Sequence, residues 1–225
     1  MAESDRPVAP IDLSARRLEA FSDAVMAVII TLLAFELRPP KTALWADVAH
    51  QKPAFAVYIL SFLFIAIYWN NHHHLLRATT VISAGVMWAN MALLLCLSLI
   101  PVTAEWIRNA YELPVDIPPK VVAHTIEVSV AFFGVVGLAA AIAYTVLLRA
   151  IIRANGSDSL VGTAVHADLK GKISLGLYAA GVGLAFVDVR LAYACYAAVS
   201  VIWLVPDRRF MHDHADDGHH EGTPA

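Results

Sequence analysis

Charged residues are scarce in this chain. Of its 225 residues only 16% are charged, while 59% are hydrophobic and the mean hydropathy is +0.62. A soluble domain of this length carries about 25% charged residues. The apolar residues are concentrated in long runs with short polar stretches between them, which is the pattern of a polytopic membrane protein and leaves no room for a soluble domain of any size.

Motifs of several other classes are absent from the sequence. Cys96 and Cys195 both fall inside apolar runs, so the sequence indicates no disulfide framework. There is no H-E-x-x-H motif and no arrangement of a nucleophile with a histidine, and we expect neither enzyme activity nor a cofactor. The net charge of −3 gives no indication of nucleic-acid binding. No motif recurs between the two halves, in contrast to the inverted repeats of many transporters.

Six apolar runs are present, and they predict an all-α membrane protein with six transmembrane helices. The fourth run is unusually long and either tilts or extends beyond the bilayer. A polar connection, residues 105–120, is expected after the third run. The runs cover residues 18–37, 54–76, 81–103, 121–151, 173–187 and 191–205.

The distribution of Lys and Arg predicts the orientation in the lipid bilayer. With the N-terminus inside, ten of the 16 basic residues lie on the inner side and six on the outer side, which places both termini in the cytoplasm of a cell-membrane protein. The predicted organisation is a cytoplasmic N-terminus (1–17), a six-helix transmembrane domain (18–206) and a His-rich tail (207–225). We expect this tail to be disordered and solvated, although its histidines could bind a metal ion weakly.

The first run predicts a helix with two different faces. At about 100° per residue, Val28, Leu32 and Phe35 share one apolar stripe with Thr31 at its edge, and Ser22 and Asp23 point about 120–140° away from Val28. Because a carboxylate at the bilayer centre costs at least about 2.5 kcal/mol, we expect Asp23 to face the protein interior.

Polar partners for Ser22 and Asp23 are expected at the same depth. The second run ends in a polar stretch and the third begins with one, and both ends lie near the inner leaflet. An interhelical polar cluster there would fix the register of the first helix. Adjacent histidines on a helix point in different directions, so three in a row predict no compact metal site from one chain. The candidates for this cluster are Trp69, His72, His73, His74, Trp88 and Asn90.

The stretch from Arg17 to Asp23, "RLEAFSD", resembles the R-x-x-x-F-S-D signature of the transmembrane protein 175 family. The signature residues are Arg17, Phe21, Ser22 and Asp23, and "YWNNHH" and Trp-Ala-Asn in the next two runs also resemble that family. The resemblance covers essentially the whole chain. It implies a potassium-permeable channel that assembles as a homotetramer, with four first helices lining a central pore.

Residue roles follow from the same resemblance. It implies a hydrophobic pore constriction at Val28 and Leu32, with Phe35 one turn further out, and it assigns cation selectivity to Thr31. Family members usually carry Ile or Leu in the constriction, so the smaller Val28 and the larger Phe35 leave its narrowest point open. The permeant ion would be K⁺. Glu36, near the outer end of the helix, could concentrate cations at the pore mouth.

Alternatives remain open at the level of the sequence. The stripe could simply contact lipid or the core, and Glu36 could simply be solvated. Arg17 could pair with carboxylates or carbonyls, or anchor the helix to lipid headgroups. The filter sequence TVGYG is absent, so selectivity would have to come from side chains. The competing function is a proton-coupled cation or metal transporter, which predicts paired Asp and His ligands near the middle of two facing helices.

Overall fold

The computed structural model describes residues 13–40, 42, 44–156 and 169–204, and every regular element in those ranges is an α-helix. Four of the helical stretches are long and apolar enough to cross a membrane, namely residues 14–35, 52–77, 84–111 and 119–155. The helices are α1 (Leu13–Phe35), α2 (Trp45–His50), α3 (Lys52–Arg77), α4 (Ala84–Ser98), α5 (Ile100–Tyr111), α6 (Pro119–Asn155), α7 (Leu169–Leu184) and α8 (Val189–Leu204).

Helices overlap all six of the apolar runs, but with different lengths. The described parts of the last two helices, α7 and α8, have 16 residues each, and each of these helices adjoins residues outside the described ranges. The described part of α1 already starts at Leu13, five residues before the predicted start at about residue 18. The structure therefore supports an all-α multi-pass protein, with four candidate spans within the described residues. The predicted tail, 207–225, lies outside the described residues.

The predicted polar connection at 105–120 is wrong in its first half. Residues 105–111 are helical and belong to α5, which continues α4 after a break at Leu99. The break has a local cause, because Pro101 has no backbone N–H to donate to the preceding turn. Within this segment Arg108 pairs with Glu112 at 3.0 Å and lies 3.9 Å from Glu105, contacts that favour a helix by about 0.2–0.5 kcal/mol each.

Local signals explain where the other helices begin and end. Ser83 is the N-cap of α4 and accepts the N–H of Val86 at 3.3 Å, and Asp188 accepts the N–H of Arg190 at the start of α8. The helix α6 has Pro119 in its first turn and ends at Asn155, directly before Gly156, whose φ of +94° favours glycine.

The long helix α6 lies at the centre of the fold and packs against α4, α5, α7 and α8. Its glycines allow close approach of the neighbouring helices. Gly134 contacts Tyr196 of α8, and a Cβ atom on Gly137 would lie only 2.7 Å from Tyr178 of α7. The rings of Tyr178 and Tyr196 stack at 5.9 Å between centroids, and Phe64 of α3 meets Tyr178 edge-on at 6.1 Å.

The first helix lies to one side of this core and packs against α3, α4 and α5.

At the C-terminal end of α6, Asn155 holds the connection between α3 and α4. Its Oδ1 accepts the N–H groups of Thr80 at 3.0 Å and Val81 at 2.8 Å, and its Nδ2 donates to the carbonyl of Val81 at 3.2 Å. The helix α6 thus helps to hold in place the helices that contact α1.

Candidate functional site

The helix α1 is divided lengthwise into a buried and an exposed face. The buried residues recur every three or four positions, which is the period of one helix face. They pack on α3, α4 and α5, so this face fixes both the position and the rotation of α1. The buried set consists of Ala15, Leu18, Ser22, Met26, Ile29 and Leu33.

The opposite face of α1 carries the predicted stripe, and it is exposed in the single chain. Val28 is 58% exposed, Leu32 47% and Phe35 77%, and Thr31 is also exposed. A continuous apolar stripe of this length on one face requires a partner surface, lipid or a pore interior. The structure thus places all four residues of the stripe together on the face that no other described helix of the chain covers.

The Thr31 hydroxyl has a defined orientation. It donates to the carbonyl of Ala27 on its own helix at 2.8 Å. Its one hydrogen is thereby used, and the oxygen lone pairs remain available on the exposed face. This is the arrangement in which a hydroxyl can offer an oxygen to a cation.

Glu36 is half-buried and lines a small cavity between α1, α3 and α5. The cavity wall also includes Leu33, Tyr58 and the buried guanidinium of Arg108. The sequence suggested either a pore-mouth or a solvated carboxylate. The structure places Glu36 on the wall of the same cavity as the Arg108 guanidinium, and its role at a pore mouth stays a prediction.

A buried polar network joins α1 to α3 and α4. Asn90 of α4 lies at its centre: its Nδ2 donates to Ser22 Oγ at 2.9 Å, and its Oδ1 lies 2.6 Å from His72 Nε2. The Ser22 hydroxyl donates in turn to the carbonyl of Leu18 at 2.8 Å. Ser22, His72 and Asn90 are all fully buried. Interhelical hydrogen bonds of this kind contribute about 0.6 kcal/mol each on average and fix helix register.

A second polar group lies beside this network and is partly exposed. Trp69 Nε1 donates to Asp23 Oδ1 at 3.0 Å, and His73 Nδ1 lies 3.0 Å from Glu19 Oε1 and 3.8 Å from Asp23 Oδ2. Arg77 Nε lies 3.6 Å from the same Glu19 oxygen. Asp23 therefore has partners on α3, as a carboxylate on an apolar helix requires.

Not every predicted member joins these contacts. Trp88 is 74% exposed and Phe21 is 51% exposed, and Arg17 is exposed on α1. None of the three hydrogen-bonds to the polar groups above within the described part of the chain. The residue that sequence reasoning missed is Glu19. Its signal was present, because Glu19 and Asp23 are four residues apart and so lie on one helix face.

Comparisons with known proteins agree on one family. The family model described as "Endosomal/lysosomal potassium channel TMEM175" matches residues 17–101. A potassium channel of Chryseobacterium sp. (strain P1-3) is 39% identical over 193 residues, which cover 86% of this chain and 94% of the relative. A potassium channel of Streptomyces collinus is 29% identical over 198 residues, covering 83% and 90% of the two chains.

A solved structure has the same fold. The crystal structure of a lysosomal potassium-selective channel TMEM175 homologue from Chamaesiphon minutus matches this chain with a TM-score of 0.70 at 22% sequence identity. The match covers 85% of this chain and 96% of the other. The same helical arrangement is therefore preserved although few residues are shared.

Proposed function

The chain belongs to the TMEM175 family of potassium channels, and from this premise we propose that it conducts K⁺ through a pore lined by its first helix. The pore would lie on the axis of a homotetramer in the cell membrane, with six membrane-crossing helices per subunit and both termini in the cytoplasm. K⁺ is the permeant ion, and conduction requires no cofactor.

The observation that carries this proposal is the exposed stripe of α1. A helix buried on one face and apolar on the other can satisfy its outer face by meeting its symmetry copies. Around a narrow axis, rings of Val28, Leu32 and Phe35 would repel water and close the pore by dewetting. A small outward movement of α1 would then admit ions.

Side chains, not backbone carbonyls, would select the ion in this proposal. A ring of Thr31 hydroxyls would replace part of the water shell of K⁺, and the hydrogen bond from Thr31 to Ala27 supports this because it leaves the oxygen lone pairs free. Glu36 would raise the local cation concentration at the outer mouth. Ser22, Asp23, His72, His73 and Asn90 would hold the helix in register.

The transporter alternative predicted Asp and His ligands on facing helices near their middle. In the described acid–histidine group, His73 lies four residues before the last residue of α3, whereas Glu19 and Asp23 lie six and ten residues after the first described residue of α1, so the group is not at the middle of both facing helices. The family also consists of channels. Flux that saturates at low turnover and requires a proton gradient would contradict the channel proposal.

The test of the gate is a Leu32→Asn substitution in chains reconstituted into K⁺-loaded liposomes. An amide at the constriction keeps water in the closed pore, so K⁺ efflux should rise about tenfold, which corresponds to ~1.4 kcal/mol of barrier. Leu95→Asn is the matched control, because Leu95 is 65% exposed on α4 and lies away from the stripe. Unchanged efflux in Leu32→Asn, or an equal rise in Leu95→Asn, would remove the assignment of the gate.

A further inference from the structure

Three side chains that commonly bind metal ions meet between α1 and α3. Glu19, Asp23 and His73 each offer one ligand atom, and these atoms all lie within 4.8 Å of one another. Two of the side chains come from one face of α1 and the third from α3. A single chain therefore brings together an N,O,O donor set, although three adjacent histidines on α3 could not do so alone.

The spacing suits a small divalent cation. In tetrahedral coordination, Zn–N and Zn–O bonds of about 2.0–2.2 Å place neighbouring ligand atoms about 3.3 Å apart. The observed distances from His73 Nδ1 are 3.0 Å to Glu19 and 3.8 Å to Asp23, each within about half an ångström of that spacing, and the ligand atoms of Glu19 and Asp23 lie within 4.8 Å of each other. His73 Nδ1 is buried and, despite its neighbours, makes no hydrogen bond of acceptable geometry. This nitrogen is therefore held beside two carboxylates without a well-formed hydrogen bond, and a metal ion bound between them would satisfy it.

The site also has the outer contacts that metal ligands usually have. Trp69 donates to Asp23 Oδ1 at 3.0 Å and leaves Oδ2 directed at His73. The same indole stacks on the His73 ring at 5.8 Å between centroids and 27° between planes. Hydrogen bonds of this kind fix the orientation of ligating carboxylates and raise metal affinity. Trp69 therefore positions both Asp23 and His73.

One positively charged side chain, that of Arg77, already lies beside the site. Arg77 Nε is 3.6 Å from Glu19 Oε1, but its side chain is two-thirds exposed. It can swing into solvent at small cost, since exposed ion pairs contribute at most about 1 kcal/mol. A divalent ion would replace this weak contact and neutralise both carboxylates.

We infer that Glu19, Asp23 and His73 form a binding site for a divalent transition-metal cation of the Zn²⁺ class, which fastens α1 to α3. Imidazole with carboxylates favours Zn²⁺, Co²⁺ or Ni²⁺ over Mg²⁺ and Ca²⁺. Binding does not depend on conduction. Its consequence does rest on the proposed function: a bridge between α1 and α3 would resist the movement that opens the pore, so the metal would inhibit K⁺ flux.

The experiment measures binding to the full chain in detergent, with His212, His214, His219 and His220 changed to Asn so that the tail cannot compete. ZnCl₂ is titrated against a fluorescent zinc indicator, and CoCl₂ is followed by its visible absorption, which is intense in tetrahedral sites. One equivalent per chain should bind. His73→Gln and Glu19→Gln should each weaken binding about tenfold or more, and Trp69→Phe about 10–100-fold.

Two controls complete the design. His74→Gln changes the adjacent histidine and should leave Zn²⁺ affinity unchanged. Arg77→Gln removes the competing charge and should not weaken binding. Full affinity in His73→Gln, loss of affinity in His74→Gln, or equal affinity for MgCl₂ would overturn the site. Binding without any effect of Zn²⁺ on K⁺ efflux would retain the site and reject its role at the pore.

Discussion

The contact between Gly181 and Tyr196 allows a sharp test of helix packing. Tyr196 of α8 is 1% exposed, and its ring lies against Gly181 of α7 on one side and Gly134 of α6 on the other. Its hydroxyl donates to the carbonyl of Val130 at 3.2 Å. The ring is thus held by three neighbours and has no free direction in which to move.

The substitution Gly181→Ala would place a methyl group inside this contact. A Cβ atom there would lie 3.1 Å from both Cδ1 and Cζ of Tyr196, and closer still to Cε1. These distances are shorter than ordinary carbon–carbon contacts of about 3.5–4.0 Å. Because the ring cannot retreat towards Gly134, we expect a cost in the free energy of unfolding of about 1–3 kcal/mol, the usual range for overpacking.

The same helix, α7, contains a residue that serves as the control. Gly183 lies two residues further along α7, and a Cβ atom there would meet nothing within 4 Å. Alanine is favoured over glycine in a helix by about 0.8–1 kcal/mol. That gain is common to Gly181→Ala and Gly183→Ala, so the difference between the two variants isolates the steric cost at Tyr196.

Thermal unfolding in detergent measures this difference. At about 2–4 °C per kcal/mol for a chain of this length, Gly181→Ala should have a clearly lower Tm than Gly183→Ala. In a Tyr196→Leu background the penalty of Gly181→Ala should shrink, as expected for residues in direct contact. Equal Tm values for the two alanine variants, or an undiminished penalty in that background, would refute this account of the packing.

Two further changes test the connections that position α1. Asn90→Ala removes hydrogen bonds to Ser22 and His72 in a buried site, and it should lower the free energy of unfolding by about 1–2 kcal/mol, measured in the same unfolding assay; an unchanged Tm would contradict the network. Asn155→Ala removes the acceptor of the Thr80 and Val81 amides, so their hydrogen exchange should accelerate, and unchanged exchange would show that this contact does not hold the connection.

Periodicity made the two faces of α1 predictable. The helical period alone separates Val28 from Ser22, and the buried and exposed residues of the structure follow that division. The partners of Ser22 were predictable in the same way, because the ends of successive membrane helices meet at one depth. His72 and Asn90 were thus expected near Ser22, and the structure brings all three into contact.

Other features differ from what the sequence predicted, in one case because one sequence does not reveal how a helix is rotated. Trp88 has the right depth for the polar cluster, but its helix turns it outwards, where it is 74% exposed. Residues 105–111 read as a polar connection because their charges suggest solvent. The spacing of Glu105, Arg108 and Glu112 carried the opposite signal, because charges three and four residues apart can pair along a helix, as they do here.

The helix α6 is too long to lie wholly within the hydrocarbon core of a bilayer. Its 37 residues rise about 55 Å, whereas the hydrocarbon core is about 30 Å thick. Even a tilt of 40°, the upper end of the observed range, accommodates only about 26 of them. About ten residues must therefore project beyond the hydrocarbon core. If the C-terminal end projects, the hydrogen bonds between Asn155 and the α3–α4 connection lie in water, where dissolved ions and proteins can reach them.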